Sequence, residues 1–458
     1  MTRIAQPVVI ATAGVLLGGL LIGFGAQSGP GDIQLQAAGL GIAGLTLFAT
    51  RAVPDIVTAL AVFLTALAIG ANAETTVFLG FTSSGFWLLF SGIILGAAVS
   101  ATGLASRFSA YLSGWSGNTY GQSVATLSLA GLALGVLIPS TMPRIIVMMP
   151  IALALAERQG YSPKSREAMG LAAAAAASTL LPTYAILTAN LPTIVQVGAM
   201  ERLYGLSSSY SEYLLAQLPV NALRFLLIVG LLRRISSATT APTTSPVTLS
   251  KPDKAERLLL TVLLVAIILW FTDFMHGISP AWIAMAAAGI VIWPRLGMLG
   301  SMAMRERIDL SPAIFFAALV TLSAVARDAG LDIQLADYLI THVPFSPDGG
   351  LASVYAVFFF AVIISHLTTA PAAPAILVPF ALPLAEVTGL SMEVVSMIQI
   401  IGIATPLLPY QAPPLIVAMS LSNIPSALLT RLCLFMALAV TAIGVPLTYL
   451  WWQLMGII

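Results

Sequence analysis

The chain has 458 residues, of which 59% are hydrophobic and only 8% charged. A soluble domain usually carries about a quarter charged residues, so this composition excludes a soluble globular protein and indicates one that lies in a lipid bilayer. The net charge of +1 provides no long-range field that would attract nucleic acid. One cysteine and three histidines argue against a disulfide framework and a structural zinc site.

Apolar runs long enough to cross a membrane recur along the whole chain. A crossing helix needs about 20 such residues. The first run resembles a signal peptide in part, but it is long enough to span, and we interpret 1–32 as an N-terminal transmembrane segment. The predicted uninterrupted spans are 7–26, 33–50, 54–70, 84–104, 213–232, 257–274, 280–299, 312–328 and 425–452.

Four further apolar segments are interrupted by prolines and polar residues. Those at about 120–156 and 351–388 are too long for one span and carry prolines at their middle, which is typical of re-entrant helical hairpins. Those at about 167–198 and 392–420 are predicted to be broken helices. Counting each hairpin as no crossing, the sequence predicts an all-α membrane protein with about eleven transmembrane helices.

A polar segment near the midpoint separates two halves of similar size. Residues 235–256 are rich in Ser, Thr and Pro, which is typical of a linker. With the N-terminus in the cytoplasm, Lys and Arg fall mostly on the cytoplasmic side, and the linker does too. Apart from Arg144, the exceptions are Arg202 and Arg327 outside and Arg224 close to the outer side.

The two halves, 33–234 and 257–458, repeat one series of residues. STMPRIIVMMPIALALAERQGYS begins at Ser140, and TTAPAAPAILVPFALPLAEVTGLS begins at Thr368, with Glu157 and Glu386 at matching places. A broken helix follows in each half. Because each half has an odd number of spans, the second copy is predicted to be inverted, an architecture that many secondary transporters use.

The interruptions are the predicted substrate site, because irregular backbone survives in a bilayer only against protein or a water-filled cavity. Free N–H groups at the start of a half-helix suit an anion. The alternative is that the hydroxyl groups bond back to their own helix. The predicted polar contacts are Ser140, Thr141, Thr188, Asn190, Thr368, Thr369 and Gln411.

Arg144 is the most informative single residue, because an intramembrane arginine indicates function. It either binds the anion or stands where a coupling cation would lie. The alternative is an arginine that extends from a shallow hairpin to the membrane interface. His366, Glu157 and Glu386 are candidate coupling residues. Packing or a backbone hydrogen bond explains His366 at least as well, and interfacial solvation is the favoured interpretation of both glutamates, which lie at the outer ends of the hairpin arms. We interpret Arg224 and Arg431 as anchors at the membrane interface.

With hairpins and breaks placed, the chain resembles the divalent-anion/sodium symporter family of the ion-transporter superfamily, over roughly residues 30–455. The resemblance rests on this topology, on the proline spacing Pro143…Pro150 and Pro371…Pro379, and on the Thr/Pro-rich breaks. It implies an elevator-type homodimer in which Ser-Asn-Thr at both hairpin tips helps to hold sodium and substrate carboxylates. Here the matching stretches are Ser140-Thr141-Met142 and, approximately, Thr369-Ala370-Pro371.

The asparagine is absent from both tips, and Thr188–Thr193 resembles the family's Thr-Pro-Pro-Asn break only loosely. Sodium ligands are therefore not carried over. No cofactor or resident metal is expected, and sodium stays open as a co-transported ion. Coupling is predicted to involve protons, anion exchange or Arg144 itself rather than two sodium ions.

The sequence thus predicts a multi-pass secondary transporter of a small anion, a carboxylate, sulfate or related oxyanion, in a bacterial inner membrane. The alternatives are a cation/proton antiporter of the same superfamily, which needs a carboxylate at mid-depth, and an anion channel. An enzyme is not expected, because no nucleophile–base pair or metal motif is present. The expected partners are the anion, membrane lipid and a second copy of the chain.

Overall fold

The computed structural model describes residues 2–27, 32–104, 107–108, 111, 119–138, 140–236, 252–296, 298–299, 308–334, 338 and 347–458, with side chains from Val8 onward. The elements are α-helices joined by short 3₁₀ and π turns. Pro139 of the first hairpin tip and residues 237–251 of the linker lie outside these ranges. At the linker's edges, Arg233–Ile235 forms a 3₁₀ turn and a helix begins at Lys254.

The first half contains a helix for each of its predicted spans and for each arm of its predicted hairpin and broken helix, while re-entry of the hairpin stays a prediction. The two arms of the hairpin are α5 and α6, and the broken helix consists of α7 and α8 with the 3₁₀ turn Pro182–Ala185 between them. The helices are α1 (Thr2–Gln27), α2 (Ile33–Thr50), α3 (Asp55–Ala68), α4 (Ser84–Ala101), α5 (Tyr120–Leu137), α6 (Thr141–Arg158), α7 (Arg166–Leu180), α8 (Leu191–Tyr204) and α9 (Tyr210–Leu232).

The second half has the same order after its own leading helices. Its hairpin consists of α14 with α15 and α16, and its broken helix consists of α17 and α18 with the 3₁₀ turn Pro409–Gln411 between them. The helices are α10 (Lys254–Phe271), α11 (Asp273–His276), α12 (Pro280–Val291), α13 (Ser311–Asp328), α14 (Leu351–Leu367), α15 (Ala373–Leu377), α16 (Ala381–Thr388), α17 (Met392–Ile403), α18 (Pro413–Ser422), α19 (Ser426–Ala439) and α20 (Val445–Leu454).

Within the described residues, eight helices are long and apolar enough to cross a membrane, and the bent pair α16–α17 adds a ninth candidate. Four shorter apolar helices, α3, α12, α14 and α18, are also present. The eight include α5, one arm of a predicted hairpin, so length and composition alone do not separate a crossing arm from a re-entrant one. The all-helical, multi-span fold is confirmed, while the count of eleven and the inversion of the halves stay predictions.

Small residues bring the first hairpin onto its broken helix. Helix α7 carries an alanine run, Ala172–Ala177, that is buried against α5 and α6. A Cβ on Gly131 of α5 would lie 2.7 Å from the hydroxyl oxygen of Thr179, so only glycine fits there. In a bilayer, where apolar surface gains little from contact with apolar surface, close packing of this kind drives helix association.

The interrupted segments also pack across the two halves. Helix α18, after the second break, lies on α6 of the first hairpin, and α15, at the second hairpin tip, lies on α8 after the first break. Each hairpin therefore contacts the broken helix of the other half. This exchange brings all four interruptions into one region of the molecule.

Candidate functional site

The first hairpin tip and the first break are joined by side-chain hydrogen bonds. Ser140 is the N-cap of α6 and Asn190 is the N-cap of α8, and the side chain of neither caps its own helix. Instead, the Thr141 hydroxyl donates to Asn190 Oδ1 at 2.7 Å. The Asn190 amide also donates to the Thr183 hydroxyl at 3.2 Å. Asn190 therefore links the tip to the break.

Arg144 lies behind this contact and is fully buried. Its guanidinium donates to the carbonyl oxygens of Ser140 at 3.0 Å and Ala189 at 2.6 Å. It also donates to the Thr141 hydroxyl at 2.9 Å and to Asn190 Oδ1 at 3.2 Å. Among the described side chains, no Asp or Glu forms a salt bridge with it, so its charge is held by neutral oxygens alone.

Gly135 of α5 creates the space that the guanidinium fills. A Cβ at this position would lie 2.7 Å from Nη1 of Arg144 and 2.6 Å from Cγ2 of Thr183. Nη1 itself has no hydrogen-bond acceptor within the described part of the chain. Position 135 therefore accepts no side chain while Arg144 keeps its place.

The second tip and the second break are joined in a different way. The Gln411 carbonyl oxygen accepts from the N–H of Ala370 at 3.0 Å, and the Gln411 side chain contacts His366 Nδ1 at 2.8 Å. The Tyr410 hydroxyl donates to the His366 carbonyl at 3.1 Å. These contacts tie the end of α14 to the 3₁₀ turn of the break without a fixed charge.

One cavity of about 170 Å³ lies where the four interruptions meet. This space is far more than a single water molecule needs. Each tip and each break contributes residues to its wall, and these are Ser140, Thr141 and Met142, then Asn190, Leu191 and Pro192, then Thr369, Ala370 and Pro371, and finally Ala412, Pro413 and Pro414. Helices α6, α8 and α18 begin at this wall, and none has a side-chain cap.

Four of the predicted polar residues line the cavity and the others do not. Ser140, Thr141, Asn190 and Thr369 lie in its wall. Thr188 is buried but does not line the cavity. The Thr368 hydroxyl donates to the Ile364 carbonyl at 2.9 Å, so it bonds back to its own helix, as the alternative interpretation of the tip hydroxyls predicts.

The remaining predicted site residues and the candidate coupling residues lie either behind the cavity wall or away from it. Arg144, Gln411 and His366 lie behind the wall and fasten it. Glu157 and Glu386 are exposed near the ends of α6 and α16, away from the cavity.

Several lining residues were not anticipated from the sequence. Arg51 and Asp55, in the loop between α2 and α3 and at the start of α3, lie at the exposed mouth of the cavity. Phe48 of α2 and Phe315 of α13 form a perpendicular ring pair, with centroids 4.7 Å apart, in the opposing wall. Tyr184 lines the cavity within electrostatic range of Arg144 and Arg224. Only tertiary packing reveals these neighbours.

The interpretation of Arg224 as an interfacial anchor is wrong. Arg224 is 1% exposed and donates to the Thr405 hydroxyl at 2.9 Å, the Ile401 carbonyl at 3.1 Å and Asn221 Oδ1 at 2.8 Å. Helix α9 is covered by α5, α7 and α17, so this face meets the second break instead of lipid headgroups. Arg431, its counterpart in the predicted repeat, is exposed, as expected for an anchor.

Comparisons with known proteins identify the family of the chain. The family model described as the sodium:sulfate symporter transmembrane region matches residues 34–458. The chain belongs to the sodium:sulfate symporter family. The resemblance drawn from the hairpins and breaks is thereby confirmed, and family membership implies secondary anion transport and no enzymatic activity.

One similar sequence and one similar solved structure can be compared with this sodium:sulfate symporter family member. A membrane protein of Cupriavidus necator is 23% identical over 391 residues, which cover 82% of this chain and 74% of that protein. The crystal structure of the YdaH transporter of Alcanivorax borkumensis, reported to have an unusual topology, superimposes with a TM-score of 0.56. That likeness covers 93% of this chain and 98% of the transporter at 17% identity, and it therefore supports the fold alone.

Proposed function

We propose that this protein is a secondary active transporter that carries a small anion, a di- or tricarboxylate, sulfate or a related oxyanion, across the inner membrane of a bacterium. The observation that carries the proposal is the convergence of both hairpin tips and both helix breaks on one cavity. Such interruptions near the junction of two repeats are where secondary transporters bind substrate.

The chemistry of the cavity wall suits an anion. Helices α6, α8 and α18 direct their N-terminal ends at it, and helix N-termini carry partial positive charge. The hydroxyls of Ser140 and Thr369 add neutral donors. At the mouth, Arg51 and Asp55 offset each other, so the charge that remains uncompensated near the cavity belongs to buried arginine.

Arg144 takes the place of a co-transported cation in this proposal. Carbonyl and side-chain oxygens at a broken helix are the ligands that sodium uses in such transporters. At the first tip these oxygens already accept hydrogen bonds from the guanidinium. A sodium ion at this position would be repelled by the fixed positive charge of Arg144. Transport would therefore be coupled to anion exchange or to protons instead of to a sodium ion at this site.

The two sides of the cavity support an alternating-access mechanism. Phe48, Arg51, Pro312 and Phe315, from α2, α13 and their neighbouring loops, form one wall, and the tips and breaks form the other. An elevator-like displacement of the tips and breaks past that wall would expose the anion on alternate sides. Family analogy adds a homodimer, and the distribution of Lys and Arg supports an N-terminus in the cytoplasm.

A thermal-shift screen on the purified protein tests the anion and the role of Arg144 together. Sulfate and dicarboxylates should raise the melting temperature by a few degrees at concentrations well above the dissociation constant. Arg144→Ala should abolish this rise, Arg144→Lys should keep some of it, and Arg431→Ala, the exposed counterpart, should keep all of it. Equal stabilisation of Arg144→Ala would contradict the proposal, as would stabilisation by sodium with no response to any anion.

A further inference from the structure

We infer that His366 and Gln411 form a proton-sensitive latch, which holds the second hairpin tip on the second break while His366 is neutral and releases it when the imidazole is protonated. This role depends on the proposed transport function, because both residues belong to the segments that surround the cavity. It identifies the proton as a coupling or regulatory ion and His366 as a positioning residue that acts through Gln411.

The orientation of the Gln411 amide is fixed by the backbone of the break. Its Oε1 accepts from the N–H groups of Leu407 and Leu408, both at 2.8 Å. Only the oxygen of an amide side chain can accept, so the nitrogen must face His366. That nitrogen lies 2.8 Å from His366 Nδ1 and 3.4 Å from the Ser365 carbonyl.

This orientation determines the protonation state of the imidazole. The amide nitrogen only donates, so His366 Nδ1 must accept and carries no hydrogen. The ring is therefore neutral, with its proton on Nε2. Protonation would place an N–H at Nδ1 directly against the amide N–H₂ group. If the amide rotated to present its oxygen instead, its nitrogen would face the N–H groups of Leu407 and Leu408. Neither orientation keeps all of the hydrogen bonds.

The latch lies next to the substrate cavity. His366 is in the last turn of α14, and the adjoining tip residues Thr369, Ala370 and Pro371 line the cavity from one side. Gln411 ends the 3₁₀ turn, and Ala412 after it lines the cavity from another side. Loosening the contact between His366 and Gln411 would therefore separate the second tip from the second break in the cavity wall.

The two halves differ in the side chain that links the hairpin tip to the helix break. At the first tip, Arg144 makes the corresponding link and stays charged at every physiological pH. At the second tip, the link is an imidazole, the side chain whose charge changes most readily between pH 5 and 8. Protons would thus act on one hairpin and leave the other unchanged.

Other ionisable groups near the latch are few. The Tyr410 phenol contacts the His366 carbonyl. Glu386 and Glu393 lie near the start of α14, at the opposite end from His366, because the Thr388 carbonyl accepts from the N–H of Gly349. Within the described residues, the remaining ionisable or charged groups on α14 and on the elements that make the main contacts with it or with the Pro409–Gln411 turn are Tyr355, Arg431, Cys433 and Tyr449.

Thiol labelling of the tip tests the latch directly. In the full-length protein with Cys433→Ala, the change Ala370→Cys places a thiol at a position that is 4% exposed. The labelling rate with a methanethiosulfonate reagent is compared between His366 and His366→Gln proteins at pH 5.5 and pH 8. Glutamine can still accept from Gln411 but cannot gain a proton. Taking the ratio of the two rates at each pH removes the pH dependence of the thiol itself.

We expect this ratio to be about fivefold higher at pH 5.5 than at pH 8, which is the factor that the loss of one net hydrogen bond produces. His276 contacts the Leu269 carbonyl and is remote in sequence from the latch, so His276→Gln should leave the pH dependence of the labelling rate unchanged. If the ratio of the labelling rates of the His366 and His366→Gln proteins does not vary with pH, the latch is overturned. Labelling needs no substrate, so this result is independent of whether anions bind.

Discussion

Arg144 carries a buried charge whose neighbours are all neutral. Leaving a cation buried without an acid costs several kcal/mol even after relaxation. Hydrogen bonds to Ser140, Thr141, Ala189 and Asn190 offset some of that cost. An anion in the adjoining cavity would offset more of it, because electrostatic interactions at a given distance are stronger in a medium of low dielectric constant. If the cavity binds an anion as proposed, the burial of Arg144 is thus coupled to the presence of substrate.

Asn190→Asp should cancel this charge with almost no change of shape. The new carboxylate would accept from Arg144 where Asn190 Oδ1 does now, 3.2 Å from the guanidinium. We expect anion affinity to fall by about 10- to 100-fold, equivalent to about 1–3 kcal/mol, while thermal stability without anion is kept. Titration by isothermal calorimetry measures the affinity. Asn423→Asp, at an exposed helix end, is the control, and an unchanged affinity in Asn190→Asp would contradict the role of Arg144.

Gly135→Ala tests the space that Arg144 occupies. The added Cβ would lie 2.7 Å from Nη1 of Arg144, so the guanidinium must move and some of its hydrogen bonds must break. Anion-dependent stabilisation in a thermal-shift assay should be lost. Gly230→Ala, at a helical position with open space around it, should be neutral or stabilising by up to about 1 kcal/mol. Equal behaviour of the two variants would show that the arginine is not tightly held.

Single lining residues could be predicted only where they interrupt a helix. Ser140, Thr141, Asn190 and Thr369 stand beside prolines in apolar runs, and the sequence marks them for that reason. Arg51 and Tyr184 carry no such mark. Arg51 follows an uninterrupted span, and its approach to the cavity depends on how α2 packs, which local sequence does not encode.

At the level of elements, the breaks were predictable and their partners were not. Proline removes a backbone donor and clashes with the preceding turn, so the interruptions of α7–α8 and α17–α18 follow from sequence. The packing of α18 on α6 and of α15 on α8 joins segments far apart in the chain. Nothing in either segment specifies its distant partner.

Arg224 shows the consequence for one element. Its position in α9 predicted an anchor, but its face of the helix packs against the rest of the protein, and the guanidinium donates hydrogen bonds to the end of α17 at the second break. Because the Ile401 carbonyl lies near the C-terminus of α17, a cation there also complements the helix dipole.

Removing this contact should destabilise the second break. Arg224→Gln leaves the Ile401 carbonyl and the Thr405 hydroxyl without their buried donor, and we expect a loss of about 2–4 kcal/mol. Arg431→Gln, at the exposed counterpart, should change stability by under about 0.5 kcal/mol. Urea unfolding in detergent micelles compares them. Equal losses would mean that the Arg224 contacts contribute nothing specific.

At the scale of the whole molecule, family membership and the cavity support the same mechanism. The sodium:sulfate symporter family supplies anion transport, and the fold places four interrupted segments around one small cavity. At the first tip, the Arg144 guanidinium binds oxygens that would suit a cation. We propose that the protein thereby carries its own cation at this tip.

Anion exchange in liposomes without sodium tests that claim most directly. Liposomes that contain the purified protein and unlabelled anion, chosen from those that stabilise it, are placed in sodium-free buffer with the radiolabelled anion outside. We predict uptake that proceeds without sodium and is lost in Arg144→Ala, with Arg431→Ala behaving as the unmodified protein. Uptake that requires an inward sodium gradient and survives Arg144→Ala would contradict the claim.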